Sequence, residues 1–228
     1  LKKRLMLRCY GLLGLGIGLC LGMSSAAQAH PHGWVDMSVE GIFDDQGSLT
    51  GLRQRWRMDP FYSQVVMEEM ANVDDGTSMA QRLDALGVEI RNNLATQDNL
   101  THIALDGQPV AQGDVTDTNT DYRDDRLIFE FVLPLAAPQA LAGHTLSYRI
   151  FDPTYYIEMV HEATEDGSQP RPEALTLDHP PAGCTTHIAK PKPDPQKVME
   201  ASMLDKSESG EPNLGRFFAE TGEITCPA

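Results

Sequence analysis

Apolar and polar residues alternate from Trp34 to Phe43, where Val35, Met37, Val39 and Phe43 are set against Asp36, Ser38 and Glu40. A period of two sends one set toward a core and the other toward water, which predicts a half-buried strand. Asp44-Asp45-Gln46-Gly47 supplies turn chemistry, and Leu52, Trp56 and Met58 continue a second strand with Arg53, Arg55 and Arg57 on its opposite face. The two strands read as a hairpin. The period then changes. Asp59-Pro60 is a helix start, with Asp as cap and Pro at a first position that has no use for its N–H. Phe61, Tyr62, Val65, Val66 and Met70 form the apolar side of that helix, which Asp74-Asp75-Gly76 ends. Ser78 with Gln81 makes a capping box, and Met79, Leu83, Leu86, Ile90 and Leu94 follow at spacings of three and four. This second helix is expected to pack its stripe on a core.

Strand patterns return after Asn99. Leu100 to Leu105 and the residues from Val110 predict a hairpin about Asp106-Gly107. Residues 113–125, crowded with Asp, Thr and Asn, predict an acidic loop, and Leu127, Phe129, Phe131 and Leu133 alternate in a strand that Pro134 closes. Leu146, Tyr148 and Ile150 mark another strand, and Tyr155 to His161 a further one. The proline-rich stretch from Asp166 to Pro181 is expected to wander over the surface. Beyond Cys184 come a short strand to Ala189, a linker through Pro195, helical patterns at Val198 to Leu204 and Leu214 to Ala219, and a last strand to Cys226. No internal repeat is visible. Taken together these elements predict an α+β fold: a mainly antiparallel β domain over residues 30–182 with two inserted helices, and a C-terminal appendage over 183–228 packed on it.

Residues 1–29 read differently. Lys2, Lys3, Arg4 and Arg8 precede an apolar, Gly-rich run to Met23, and Ala27-Gln28-Ala29 has the small-x-small form of a secretory cleavage site. The run is short of the roughly 20 residues that span a bilayer. A cleaved signal peptide is therefore expected, with His30 as the first mature residue. Cys20 follows Leu19, where a lipid-anchor signal wants a small residue, so the mature protein is expected to be soluble in the periplasm and not membrane-embedded.

Composition sharpens this. The chain carries 18 Lys and Arg against 33 Asp and Glu, a net charge of −15, and loss of the leader removes four of the basic residues. That balance excludes nucleic acid and anionic membrane surfaces as electrostatic partners and favours a cation. In such surroundings the Arg53, Arg55 and Arg57 face is expected to pair with carboxylates on the sheet. Two cysteines survive cleavage, Cys184 and Cys226, and an even pair in an oxidising compartment predicts a disulfide.

The chain lacks Gly-x-Ser-x-Gly, a phosphate-cradling Gly loop, His-Glu-x-x-His and a free cysteine nucleophile, which removes the commonest hydrolase and NTPase classes. The mature end stands out instead. His30 offers an α-amine, with a pKa near 8, and an imidazole, and His32 adds a second imidazole suited to zinc, copper or nickel. Pro31 has no N–H to lose, which disfavours the square-planar amino-terminal copper or nickel chelate and favours a zinc-like site completed by carboxylates. Extended geometry places His30, His32, Trp34 and Asp36 on one side of the strand.

His30-Pro31-His32, Arg55-Trp56-Arg57-Met58-Asp59 running into Phe61-Tyr62-Ser63, Asp106-Gly107-Gln108-Pro109-Val110, Phe151-Asp152-Pro153-Thr154-Tyr155-Tyr156 and Pro181-Ala182-Gly183-Cys184 are specific when taken as a set. In them the chain resembles domain-of-unknown-function family 1007, described as an uncharacterised periplasmic component associated with ABC-type transport and with zinc, nickel or cobalt handling. The resemblance implies a non-enzymatic metal-binding accessory of a membrane transporter, with His30, His32 and Asp152 as metal ligands. Zinc comes first, with copper, nickel and cobalt as alternates. Relatives often carry an Asp-rich, calcium-like loop between the two helices. Here only Asp74, Asp75 and Gly76 remain, and calcium is not carried over. His102, His144, His161, His179 and His187 fall outside the motifs and are expected on the surface or in packing. Two rivals stand beside this reading. One is a copper oxidase with an amino-terminal His brace, like polysaccharide monooxygenases, which needs a second imidazole from His102, His144 or His161 and has few exposed aromatics flanking its start. The other is a structural or interaction module with no metal role.

Overall fold

The computed structural model describes residues 31–204 and 210–228, so the expected leader, its cleavage point and His30 lie outside the described residues. Strands β1 (Gly33–Phe43) and β2 (Ser48–Met58) form the expected antiparallel hairpin, with Val35 opposite Met58. The Asp44 carboxylate closes its turn by accepting from the backbone N–H groups of Gln46 and Ser48 at 3.0 and 2.8 Å. The arginine face pairs as expected. Arg53 meets Glu40, Arg55 lies 3.3 Å from Glu130 and 3.2 Å from Glu162, and Arg57 lies 3.5 Å from Glu162.

Helix α1 (Pro60–Ala71) starts on the predicted Asp59 cap, and α2 (Met79–Ala95) on the Ser78–Gln81 capping box. Their packing differs. Leu83, Gly87 and Leu94 of α2 are buried, whereas Ser63 is the only buried residue of α1, so the apolar side of the first helix faces outward.

Sheet A has the order β5-β6-β2-β1-β8, where β5 is Thr116–Arg123, β6 Arg126–Ala140 and β8 Ile157–His161, and β9 (Leu175–Asp178) extends the same edge of β1. Three expectations are corrected here. The acidic loop expected over 113–125 contains strand β5, polar because it is an edge whose Thr120 alone among Thr116–Arg123 is buried, beneath Gly87 of α2. Pro134 does not end its strand. It sits opposite Gly51 at an irregularity in the β2–β6 register, where a missing N–H is tolerated. The wandering 166–181 stretch includes β9, which, like β8, runs parallel to β1.

Sheet B has the order β10-β11-β7-β3-β4, built from β3 (Thr101–Leu105), β4 (Gln108–Pro109), β7 (Thr145–Ile150), β10 (Thr185–Ala189) and β11 (Thr221–Thr225), all antiparallel. Since β11 pairs with β7, the tail expected as an appendage is woven into the second sheet. Cys184 and Cys226 form the expected disulfide, 42 residues apart, flanking β10 and β11. Helix α3 (Pro195–Met203) lies between them, and the helical pattern at Leu214 to Ala219 is a single 3-10 turn at Gly215–Phe217. The sheets face each other: Met37, Leu52, Trp56, Phe129, Phe131 and Leu133 of sheet A share one buried cluster with Ile103, Leu146, Tyr148, Ile150 and Ile224 of sheet B. Burial of each such side chain contributes about 1.5–3 kcal/mol against chain entropy.

Candidate functional site

The residues preceding β8 wrap around one carboxylate. Asp152 accepts from the Thr154 N–H and hydroxyl at 2.9 Å through Oδ1, and from the Tyr156 and Ile157 N–H groups at 3.0 and 3.1 Å through Oδ2. This loop presents Tyr156 to the start of β1. The His32 N–H donates to the Tyr156 carbonyl at 2.9 Å, and the two rings pack with centroids 4.4 Å apart. Two motifs far apart in sequence thus meet at one end of sheet A. Four donors fill the acceptor sites of a carboxylate, so Asp152, expected as a metal ligand, here organises the loop on which His32 rests.

A different carboxylate lies beside Gly33, the residue after His32. Asp59 donates its N–H to the Trp34 carbonyl at 3.0 Å and caps α1 by accepting from the Tyr62 N–H at 2.9 Å through Oδ1. Its Oδ2 lies against Gly33, where an added Cβ would stand only 2.7 Å away. Asp59 is 8% exposed, and its Oδ2 takes no hydrogen bond among the described residues. The sequence marks Asp59 as a helix cap and hides this second use. Its place in the Arg-Trp-Arg-Met-Asp motif was the available signal.

Several large side chains on the segments that carry His32, Asp59 and Asp152 are exposed. Phe61 is 77% exposed and Trp34 44%, and Tyr62, Tyr156 and Ile157 are exposed as well. This corrects the expectation that few exposed aromatics flank the start. The Tyr62 pKa is raised by burial and by Glu89, Glu69 and Asp59. Tyr155 is held with φ 57 and stacks on Phe218 at 4.1 Å; burial and its hydrogen-bond partner Glu158 push its pKa up.

The histidines outside the motifs are dispersed. His161 is buried, with Nδ1 2.8 Å from Glu220 Oε2 and Nε2 2.8 Å from the Tyr148 hydroxyl, so neither nitrogen can join a brace. His144 lies 2.6 Å from Asp106 before the start of β7, at the strand end away from the Asp152 loop. His179 lies 2.6 Å from Asp178, His187 is on β10, and His102 stacks on Phe151 at 4.7 Å. Among the described residues no group of three or more His, Cys, Asp or Glu is placed to hold a metal ion. His30, whose amine and imidazole would extend the set begun by His32 and Asp59, lies outside them.

A two-sheet β structure with inserted helices, closed by its C-terminal strand and carrying His32 on an aromatic rim, defines the class of protein. The chain belongs to the family protein of unknown function DUF1007, whose model matches residues 15–226. It is similar to an uncharacterized protein of Haemophilus influenzae, 26% identical over 223 residues that cover 96% of this chain and 100% of the relative. No solved structure matches. Among the described residues no helix is long and apolar enough to cross a membrane.

Proposed function

We propose that the protein is an exported, periplasmic binder of a transition metal, zinc first, that serves a membrane transporter as an accessory. The ligands are the α-amine and imidazole of His30, the imidazole of His32 and Oδ2 of Asp59, while Asp152 positions His32 through Tyr156. Nitrogen donors with one carboxylate suit zinc, with copper, nickel and cobalt as alternates. The observation that carries the reading is the packing of His32 on Tyr156, which the Asp152 loop presents, with Asp59 Oδ2 against the neighbouring Gly33 and without a hydrogen bond among the described residues. Exposed Trp34, two residues along from His32, and exposed Phe61, two residues along from Asp59, offer apolar area to a partner.

The test is zinc titration into protein beginning at His30, into protein beginning Met-His30 and into an Asp59→Asn variant. Affinity is expected to fall in both altered proteins, by about 10- to 100-fold if each behaves at least as an outer-shell partner does. Equal affinity in all three would overturn the reading. The exposed aromatics favour a second reading, copper-dependent oxidation of a polysaccharide at the same end. Peroxide-dependent cleavage of chitin or cellulose by copper-loaded protein would establish it in place of the first.

A further inference from the structure

An open cleft of about 930 Å³ lies between the end of α2, the turn that follows it, β3 and residues 109–115. It shares no residue with the His32 site. Asp98 and Asn99 line it and, with Leu100, make a turn with φ of 49, 52 and 51, three consecutive left-handed residues without a glycine among them. Such strain persists only where surrounding contacts impose it, and it clusters at ligand sites.

The contacts that impose it also leave one polar atom over. The Trp56 indole donates to Gln54 Oε1 at 3.0 Å, Gln54 Nε2 donates to the Thr101 hydroxyl at 3.1 Å, and that hydroxyl donates to the Asn99 carbonyl at 2.9 Å. Gln112 Nε2 donates to the Thr101 carbonyl, which turns Gln112 Oε1 toward Asn99 Nδ2 at 3.2 Å. Each amide orientation is fixed by its neighbour, so Asn99 Oδ1 cannot exchange places with Nδ2. Asn99 is 8% exposed, and this oxygen is buried without a partner. A buried acceptor in that state calls for a donor.

Charge around the cleft is mixed. Arg91 and Arg149 line it and make no hydrogen bond or ion pair among the described residues, unlike Arg53, Arg55, Arg57 and Arg126 on sheet A. Asp98 and Asp114 line it too. His102, on the same wall, has its pKa lowered by burial and by Arg149 and so adds no fixed charge. A cleft of this size matches small-ligand sites, and paired charges of both signs match a ligand that carries both.

We propose that this cleft binds a small zwitterion, a free amino acid or short peptide, whose carboxylate meets Arg91 and Arg149 and whose ammonium donates to Asn99 Oδ1 beside Asp98. Calorimetry on the processed chain in the presence of a chelator would use the twenty common amino acids and a set of di- and tripeptides, with dicarboxylic acids and simple amines as single-charge controls. Saturable binding is expected for at least one zwitterion, weaker by tenfold or more for its single-charge analogues. An Arg91→Met, Arg149→Met protein should lose that binding, and His32→Ala should keep it, which separates this cleft from the metal reading. Asn99→Gly, tolerant of the left-handed turn, should bind the zwitterion more weakly than wild type. Binding to none of the panel at millimolar concentration, or equal affinity in the double-arginine variant, would overturn the proposal.

Discussion

His32 and His161 flank the same pair of strands and have opposite fates. His161 ends β8 opposite Met37, buried, with both ring nitrogens and its backbone N–H engaged by Tyr148 and Glu220. His32 stands one residue before β1, exposed, its ring laid against Tyr156. Sequence gives the two no distinguishing mark beyond their neighbours. Burial separates them: an imidazole enclosed in the core with its partners contributes to uniqueness of packing, and one at the rim is in reach of solvent.

The largest effect should come from the buried member. Glu220→Ala leaves the His161 ring and N–H facing an unfilled position and should destabilise by about 3–5 kcal/mol, the range for breaking a buried pair, read as a lower urea midpoint. A loss under about 1 kcal/mol would mean the network is not saturated as described. Zinc affinity of the fraction still folded should be unchanged.

Reduction of Cys184–Cys226 should follow, costing about 2–4 kcal/mol. Mass spectrometry of the native protein should find these two residues joined in one linked peptide pair. As β11 is hydrogen-bonded to β7, amide exchange on reduction should rise in both strands. Exchange confined to β10 and β11 would show the tail to be separable from the sheet.

A pH scan tests the same network. Burial opposes ionisation of Glu220, but hydrogen bonds from the His161 ring and backbone, with the charges of His161 and Lys190, hold its pKa below the ordinary value. A carboxylate lowered on folding stabilises above its unfolded pKa of about 4.3 and loses that contribution as pH falls through its folded value. Neighbouring Glu158 shifts the other way, raised by burial and by Glu220, and so favours the folded state as it protonates. Glu220→Gln should flatten the acid limb of the stability curve; an unchanged limb would remove Glu220 from the account.

The smallest change in stability should come from the rim. His32→Ala should alter stability by no more than about 0.5 kcal/mol, as exposed substitutions do, while lowering zinc affinity. Asp152→Asn turns two acceptors toward four donors and should cost about 1–3 kcal/mol. Its effect on zinc should appear as misplacement of Tyr156, detectable as a changed nuclear magnetic resonance shift of the His32 ring before metal is added. If Asp152→Asn abolishes zinc binding with that shift unchanged, Asp152 is a ligand after all.

Local signals were legible in the sequence and distant ones were not. The β1–β2 alternation, the Asp59-Pro60 start and the Ser78–Gln81 box each lie within a few residues of what they build. Strand β5 was hidden because its exposed edge carries Asp, Thr and Asn, with only Thr120 turned under α2. The parallel pairing of β8 and β9 with β1, and the joining of β11 to β7, depend on contacts made by segments far apart in the chain. At the site, sequence supplied His32 and the Asp152 loop. It could not show that Asp152 bonds its own loop, because a carboxylate that accepts from its own backbone and one that faces outward share the same letter.

The closure of sheet B by β11 also orders events in time. A chain that emerges amino end first delivers Glu220, Ile224 and Cys226 after β7 and β8, and these supply the partner of His161, a fully buried core side chain and half of the disulfide. The core therefore cannot complete until β11 has joined β7 across more than 70 residues of chain, a dependence that non-local pairing makes slow.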